Sequence, residues 1–281
     1  MNLNSKKIFT YMVDELKNYL VKNNLKAMVL GISGGIDSTV CAAICHEVSK
    51  QTGIPLIGRS LPTINNKDSE TVTANLVGEG FCDNYDVVGI QGPYQDFLEH
   101  IKIQDPEVFE KQTPLANGNI QARLRMIYLY NLASIYGGIV IDTDNKTENN
   151  LGYYTLHGDQ GDYAPMRDLW KMEVYEIAHW ILNNKCDTIL KKTGVERSIA
   201  LTPTAGLGIT SSDLEEIGAE SYYEVDAVLK ACIYEGEQGI ESVKTVFNED
   251  MVQRVVNRHK ASEFKRKGLP VFPEISDFDK Q

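Results

Sequence analysis

Met28-Val29-Leu30-Gly31-Ile32-Ser33-Gly34-Gly35-Ile36-Asp37-Ser38-Thr39 carries an apolar strand straight into a Ser-Gly-Gly turn and on into a helix. Gly34 and Gly35 lack Cβ atoms, so backbone N–H groups can approach an anion closely there. The helix opening at Asp37 turns its positive dipole end toward the same point. Ser33, Ser38 and Thr39 add hydroxyl donors, and the whole run from Gly31 to Ser38 reads as a cradle for a polyphosphate. The usual P-loop needs G-x-x-x-x-G-K-[ST]. This loop has no lysine and carries Asp37 instead, and a carboxylate beside polyphosphate implies an intervening Mg²⁺. The plainer alternative is the N-capped strand–turn–helix of any α/β protein.

Outward from this stretch, apolar strand-like runs alternate with helical patterns. Ala27 to Gly31 is followed by a helix from Asp37 to about Lys50, then by Pro55 to Gly58 leading to Arg59-Ser60-Leu61-Pro62. A helix around Ser69 to Glu79, a short strand from Asp86 to Ile90, helices near Tyr94 to Ile101 and Gln121 to Tyr136, and a strand from Gly138 to Asp142 come next. Such alternation predicts a doubly wound parallel sheet with helices on both faces, one α/β domain over residues 1–281. Ligands in such sheets lie beyond the carboxyl ends of the strands, so Ser33 to Ser38 and Thr143 to Glu148, each directly after an apolar strand, are expected to share one crevice. Residues 194–221 are broken by Pro203, Gly206, Gly208 and Gly218 and read equally as a lid or as a surface connection.

Thirty-nine acidic residues against 28 basic ones give a formal net charge of −11, which argues against a nucleic-acid-binding surface. The five cysteines form no C-x-x-C, so neither a disulfide framework nor a zinc site is indicated, and a cytoplasmic location is expected. Ile8, Phe9, Met12, Val13, Leu16, Tyr19 and Leu20 follow a helical stripe broken by charges, unlike a signal peptide. No run of ~18 apolar residues is present to span a membrane.

Further motifs line up in order. Gly118-Asn119-Ile120-Gln121-Ala122-Arg123-Leu124-Arg125-Met126 precedes Thr143-Asp144-Asn145-Lys146-Thr147-Glu148. Leu151-Gly152-Tyr153-Tyr154-Thr155, Gly158-Asp159, Pro165, Asp168-Leu169 and Lys171 come next, then Pro203-Thr204 and Ser262-Glu263-Phe264-Lys265-Arg266. With the loop at 33–38, this series resembles the ammonia-dependent NAD synthetases, within the ATP pyrophosphatases that carry an SGG-x-DS loop and an adenine-nucleotide alpha-hydrolase-like fold.

The resemblance implies that the carboxylate of deamido-NAD attacks the α-phosphorus of ATP and that ammonia then displaces AMP. ATP is thus a co-substrate and Mg²⁺ the cofactor. It implies Asp37 and Glu148 as metal ligands, Thr143 and Thr204 as ATP contacts, Lys171 as the lysine reaching the phosphates, and Asp159 as an acid that helps ammonium lose a proton. As simple helix N-terminal acids, Asp37 and Glu148 would each contribute about 0.3–1 kcal/mol. Arg123, Asp162, Phe264 and Lys265 match positions that hold deamido-NAD. The basic cluster at 254–267 also reads as the charged outer face of a helix whose Val252, Val255 and Val256 point inward. Two departures stand out: Leu156-His157 where a lysine is common, with His157 a candidate replacement cation, and a shortened run at Gln160-Gly161-Asp162-Tyr163.

A glutaminase unit would need ~250 further residues, and the first strand begins near residue 27, so free ammonia is the expected nitrogen donor. Apolar positions on more than one face of the helix 119–137 match a family homodimer interface. GMP synthetases and tRNA thiolases share the loop, but a thiolase would want paired catalytic cysteines and a basic surface. A non-catalytic adenine-nucleotide sensor would not need Asp37, Glu148 and Lys171 together.

Overall fold

The computed structural model describes residues 4–201 and 213–267. In chain order the elements are α1 (Ser5–Lys22), β1 (Met28–Gly31), α2 (Ile36–Thr52), β2 (Leu56–Ser60), α3 (Asp68–Phe81), β3 (Asn84–Val87), α4 (Gln91–Gln104), α5 (Pro106–Glu110) and α6 (Pro114–Tyr136). They continue with β4 (Ile139–Val140), α7 (Lys146–Leu151), α8 (Lys171–Asn184), α9 (Ile189–Ala200), α10 (Asp213–Ile217), α11 (Tyr222–Tyr234), α12 (Gly236–Lys244), α13 (Glu249–Ala261) and a 3₁₀ turn at Glu263–Arg266.

Among the described residues four strands run parallel in the order β3-β2-β1-β4, with Met28 opposite both Leu56 and Ile139. The central strand β1 is an unbroken apolar run because both of its faces are covered. Its alternate side chains go to opposite layers: Met28 and Leu30 join a core built with α1, α2, α3, α8 and α9, while Val29 packs with Ile57, Val140 and the Met126, Leu129 and Ala133 face of α6. A third core holds α11 and α13 against Leu151 of α7 and Trp170, just before α8. The chain winds from β1 to β2 to β3 on one side and then crosses to β4 on the other, so the order reverses between β1 and β4. A crevice opens at such a reversal. No helix among the described residues is long and apolar enough to cross a membrane.

The expected elements are present with shifted edges. The third strand lies at Asn84–Val87 rather than Asp86–Ile90. Helix α6 starts at Pro114, seven residues before the expected Gln121, because Pro114 at the first helical position and the Thr113 cap on the Ala116 N–H start it there. The segment 194–221, read equally as a lid or as a surface connection, is helical up to Ala200 and again over Asp213–Ile217, and its centre, with Thr204, lies outside the described residues.

Gly34 adopts φ +87°, and a Cβ there would lie 2.4 Å from the Glu70 carbonyl oxygen and 2.9 Å from the Ala74 nitrogen. Backbone freedom and close approach of α3 both demand glycine. Gly34→Ala is expected to lower the unfolding free energy by more than the ~1–2 kcal/mol of a left-handed residue, read from denaturant midpoints. An unchanged midpoint would contradict this account of the turn.

Candidate active site

Because β1 and β4 are neighbours, the loops that follow them emerge side by side. Ser33 and Ser38 hydroxyls lie 3.1 Å apart, the Gly35 N–H donates to Ser33 Oγ, and Ser38 and Thr39 donate to the Gly35 carbonyl. These bonds hold the turn in shape at the start of α2. Across from it, Asn145 caps α7 by accepting from the Glu148 N–H at 3.0 Å, while its own N–H donates to Glu148 Oε2. The Asn145 amide also donates to Asp37 Oδ1 at 2.8 Å, tying the two loops together.

Between them sits Lys171, whose side chain is 1% exposed and whose Nζ lies 2.5 Å from Asp37 Oδ2 and 2.9 Å from Glu148 Oε1. An ammonium on the first residue of a helix opposes the helix dipole, so this placement depends on the two carboxylates. The backbone is anchored separately: Lys171 N–H donates to Thr147 Oγ1, Thr147 donates to Asp226 Oδ1, and Asp226 accepts the Met172 N–H. Burial works against the Lys171 charge, yet Asp37 and then Glu148 outweigh it and hold the ammonium well above the usual lysine value. Burial, followed by the Asp37 charge, pushes Glu148 up to about 7. Among the described residues no three acids, histidines or cysteines cluster as a closed metal cage. The Asp37 and Glu148 pair, already sharing one cation, suits a hard divalent ion that completes its shell with water and phosphate.

Both loops face a cavity of about 890 Å³. Of the expected residues, Gly31, Ile32, Ser33, Gly35, Ile36, Asp37, Ser38, Thr143, Glu148, Asp159, Lys171 and Lys265 line it. Gly34 stands behind the turn against α3. Asp159 faces the cavity solvent and accepts the Thr155 N–H at 2.6 Å, with surrounding protein pushing its carboxyl up.

The other expected substrate contacts do not line the cavity. Arg123 is exposed and donates to the Leu156 carbonyl. His157 is exposed at φ +59° in a tight turn. Asp162 accepts from the Tyr130 hydroxyl and the Val140 N–H. Phe264 is 58% exposed.

The basic cluster has a second occupation that spacing could not reveal. Asn150 O accepts from His259, Ser262 and Arg266, Leu151 O from Arg258, and Gly152 O and Tyr154 O from Lys265. Cationic donors thus close the carbonyl end of α7, where the dipole favours them. Arg258 also covers the Tyr153 ring at 3.8 Å. Asn145, Thr147 and Asp226 were not among the expected site residues. Asn145 was findable as a capping-box partner of Glu148; Asp226, 79 positions from Thr147, left no local signal.

Comparison with known proteins gives a concordant result. A family model described as NAD synthase matches residues 8–269. The NH₃-dependent NAD⁺ synthetase of Pyrococcus furiosus is 33% identical over 280 residues, covering 98% of this chain and 97% of that protein. That of Trichlorobacter lovleyi is 30% identical over 279 residues, covering 98% and 93%. The solved structure of NMN synthetase from Francisella tularensis superposes with a TM-score of 0.78 at 29% identity, covering 97% of this chain and all 100% of that one.

The raised Glu148 carboxyl predicts a pH effect. Its native value of about 7 exceeds the ordinary 4.5, so the folded state holds this proton more tightly and ionising Glu148 removes stability as pH rises between those values. The stability of wild type minus that of Glu148→Gln should fall by ~3 kcal/mol across this window, at ~1.4 kcal/mol per unit. A flat difference in thermal or denaturant midpoints would contradict the assignment.

Proposed function

This chain belongs to the NAD synthase family, and on that premise we propose that it makes NAD by ATP-dependent amidation of deamido-NAD with ammonia, releasing AMP and pyrophosphate. The observation that carries the reading is the buried Asp37–Lys171–Glu148 group set against the Ser-Gly-Gly turn at the strand-order reversal.

Ammonia does not convert a carboxylate to an amide directly, because oxide would have to leave. In the proposed route a nicotinate carboxylate oxygen attacks the α-phosphorus, the bond to pyrophosphate breaks, and ammonia then attacks the acyl carbon as AMP departs. Charge gathers on the leaving pyrophosphate, so preorganised donors are the main requirement. Ser33, Gly35, Ser38 and Lys171 line the cavity, and on this reading their donors would exchange the bonds they make within the loop for bonds to the phosphate oxygens. Mg²⁺ held by Asp37 and Glu148 would neutralise part of that charge. Thr143, which lines the cavity, and Thr204, outside the described residues, would contact ATP by the family pattern.

We further propose a homodimer through α6, supported by Ile127, Tyr130, Ile135 and Tyr136, which are 67%, 38%, 66% and 46% exposed on a helix whose other face is core. A cytoplasmic location suits the five free cysteines.

One feature favours a second reading, in which the acid substrate is the mononucleotide. Arg123, Asp162 and Lys265, expected to hold the dinucleotide, already bond within the chain, and a shorter substrate would need fewer of them.

The decisive assay supplies ATP, Mg²⁺ and ammonium with either deamido-NAD or nicotinate mononucleotide. NAD, AMP and pyrophosphate formed in equal amounts from the dinucleotide, with higher kcat/KM than for the mononucleotide, is the expected outcome. A preference for the mononucleotide would establish the second reading, and release of ADP and phosphate would overturn adenylation.

A further inference from the structure

Lys171 and Glu148 face the cavity from α8 and α7. A lysine ammonium rides on a flexible four-carbon stem, so its placement depends on what holds the two backbones. Both backbones meet on one side chain. Asp226 of α11 accepts the Thr147 hydroxyl on Oδ1 at 2.5 Å and the Met172 N–H on Oδ2 at 3.0 Å, and Thr147 Oγ1 accepts the Lys171 N–H at 2.9 Å. Thr147 precedes Glu148 and Met172 follows Lys171, so the two oxygens of one carboxylate hold the immediate neighbours of both charged residues. Asp226 and Thr147 are 2% and 0% exposed, and neither lines the cavity.

Val225, Val228 and Leu229, on either side of Asp226, are buried in the third core, so packing sets where the carboxylate stands before it holds anything. One turn earlier on the same helix, buried Tyr222 places its ring centre 5.4 Å from Lys171 Nζ. Asp226 also brings a negative charge to the first turn of α8, where the helix dipole favours an anion and opposes the Lys171 ammonium. Resting on the amidation reading above, we propose that Asp226 is a positioning residue for that reaction: through the Thr147 hydroxyl and the Met172 N–H it fixes Lys171 against Glu148, and so fixes where the ammonium meets the leaving pyrophosphate. Asp226 touches no reacting atom and acts only through the residues it holds. The ion pair alone would leave the spacing of α7 and α8 to two extended side chains, and a group misplaced by ~1 Å costs on the order of a hundredfold in rate.

The test compares Thr147→Val and Asp226→Asn with Thr147→Ser, which keeps the hydroxyl, each assayed well below its own thermal midpoint and with rates expressed per folded molecule. Thr147→Val and Asp226→Asn should lower kcat about tenfold to a hundredfold, the cost of a misplaced group. Their ATP KM should stay within about threefold of wild type, because misplacement weighs on the charge that develops as pyrophosphate leaves more than on bound ATP. Calorimetric binding of an ATP analogue with a methylene bridge between the α- and β-phosphorus should likewise stay within about threefold. Thr147→Ser should keep kcat within about twofold of wild type, and the double variant Thr147→Val with Asp226→Asn should be hardly slower than the slower single one, since both cut one chain of bonds. Lower thermal midpoints are expected in Thr147→Val and Asp226→Asn as well, since each leaves a buried partner unbonded. A kcat per folded molecule unchanged in both despite those lower midpoints would make Asp226 a structural tie only and overturn the proposal. An equal fall of kcat in Thr147→Ser, or losses that multiply in the double variant, would overturn it too. Should Asp226→Asn fail to fold, the comparison of Thr147→Val with Thr147→Ser decides. A wild type that yields no AMP and pyrophosphate with either acid substrate would instead sink the amidation reading, and the proposal with it.

Discussion

A single ammonium group, that of Lys171, holds together the segments that follow β1 and β4. Asp37 arrives from the first turn of α2 after β1 and Glu148 from the helix after β4, and two carboxylates sharing one ammonium repel unless that cation stands between them. Lys171 fills that place in the free protein, and Asn145 adds a neutral tie to Asp37. On the proposed reading, phosphate oxygens and a metal would meet charges that are already fixed, so that little reorganisation would remain. Removing Lys171 would leave the two carboxylates facing one another without a cation, which makes that residue the sensitive point for stability.

Much of this was legible in the sequence because it is written locally. The apolar run of β1, the Ser-Gly-Gly turn and the opening of α2 are contiguous, and the alternation of strands and helices sets a parallel sheet whose loops must lie at one edge. That the segments carrying Asp37 and Glu148 share one crevice followed from each standing just after a strand, and their pairing came from the family resemblance. The reason they meet, adjacency of β1 and β4 at the reversal of strand order, is topological.

The less legible features depend on distant partners. Spacing alone left Arg258, Lys265 and Arg266 as either a charged helix face or ligand contacts, whereas they close the carbonyl end of α7 and shape the Gly152–Tyr154 wall of the cavity. Asp226 secures the start of α8 through Thr147 and Met172 from an element 54 residues beyond Met172. The early start of α6 was not legible because its signal is a cap followed by proline rather than an apolar stripe.

The central claim, that Asp37 and Glu148 act as one charged unit, is tested most directly by a double-mutant cycle in kcat. Asp37→Asn and Glu148→Gln preserve shape while each removes one charge, so each alone should slow turnover by orders of magnitude with folding nearly intact. If they serve one ion and one ammonium, the double variant should be hardly slower than the slower single variant. Losses that multiply, or an unchanged kcat in Asp37→Asn, would contradict the account.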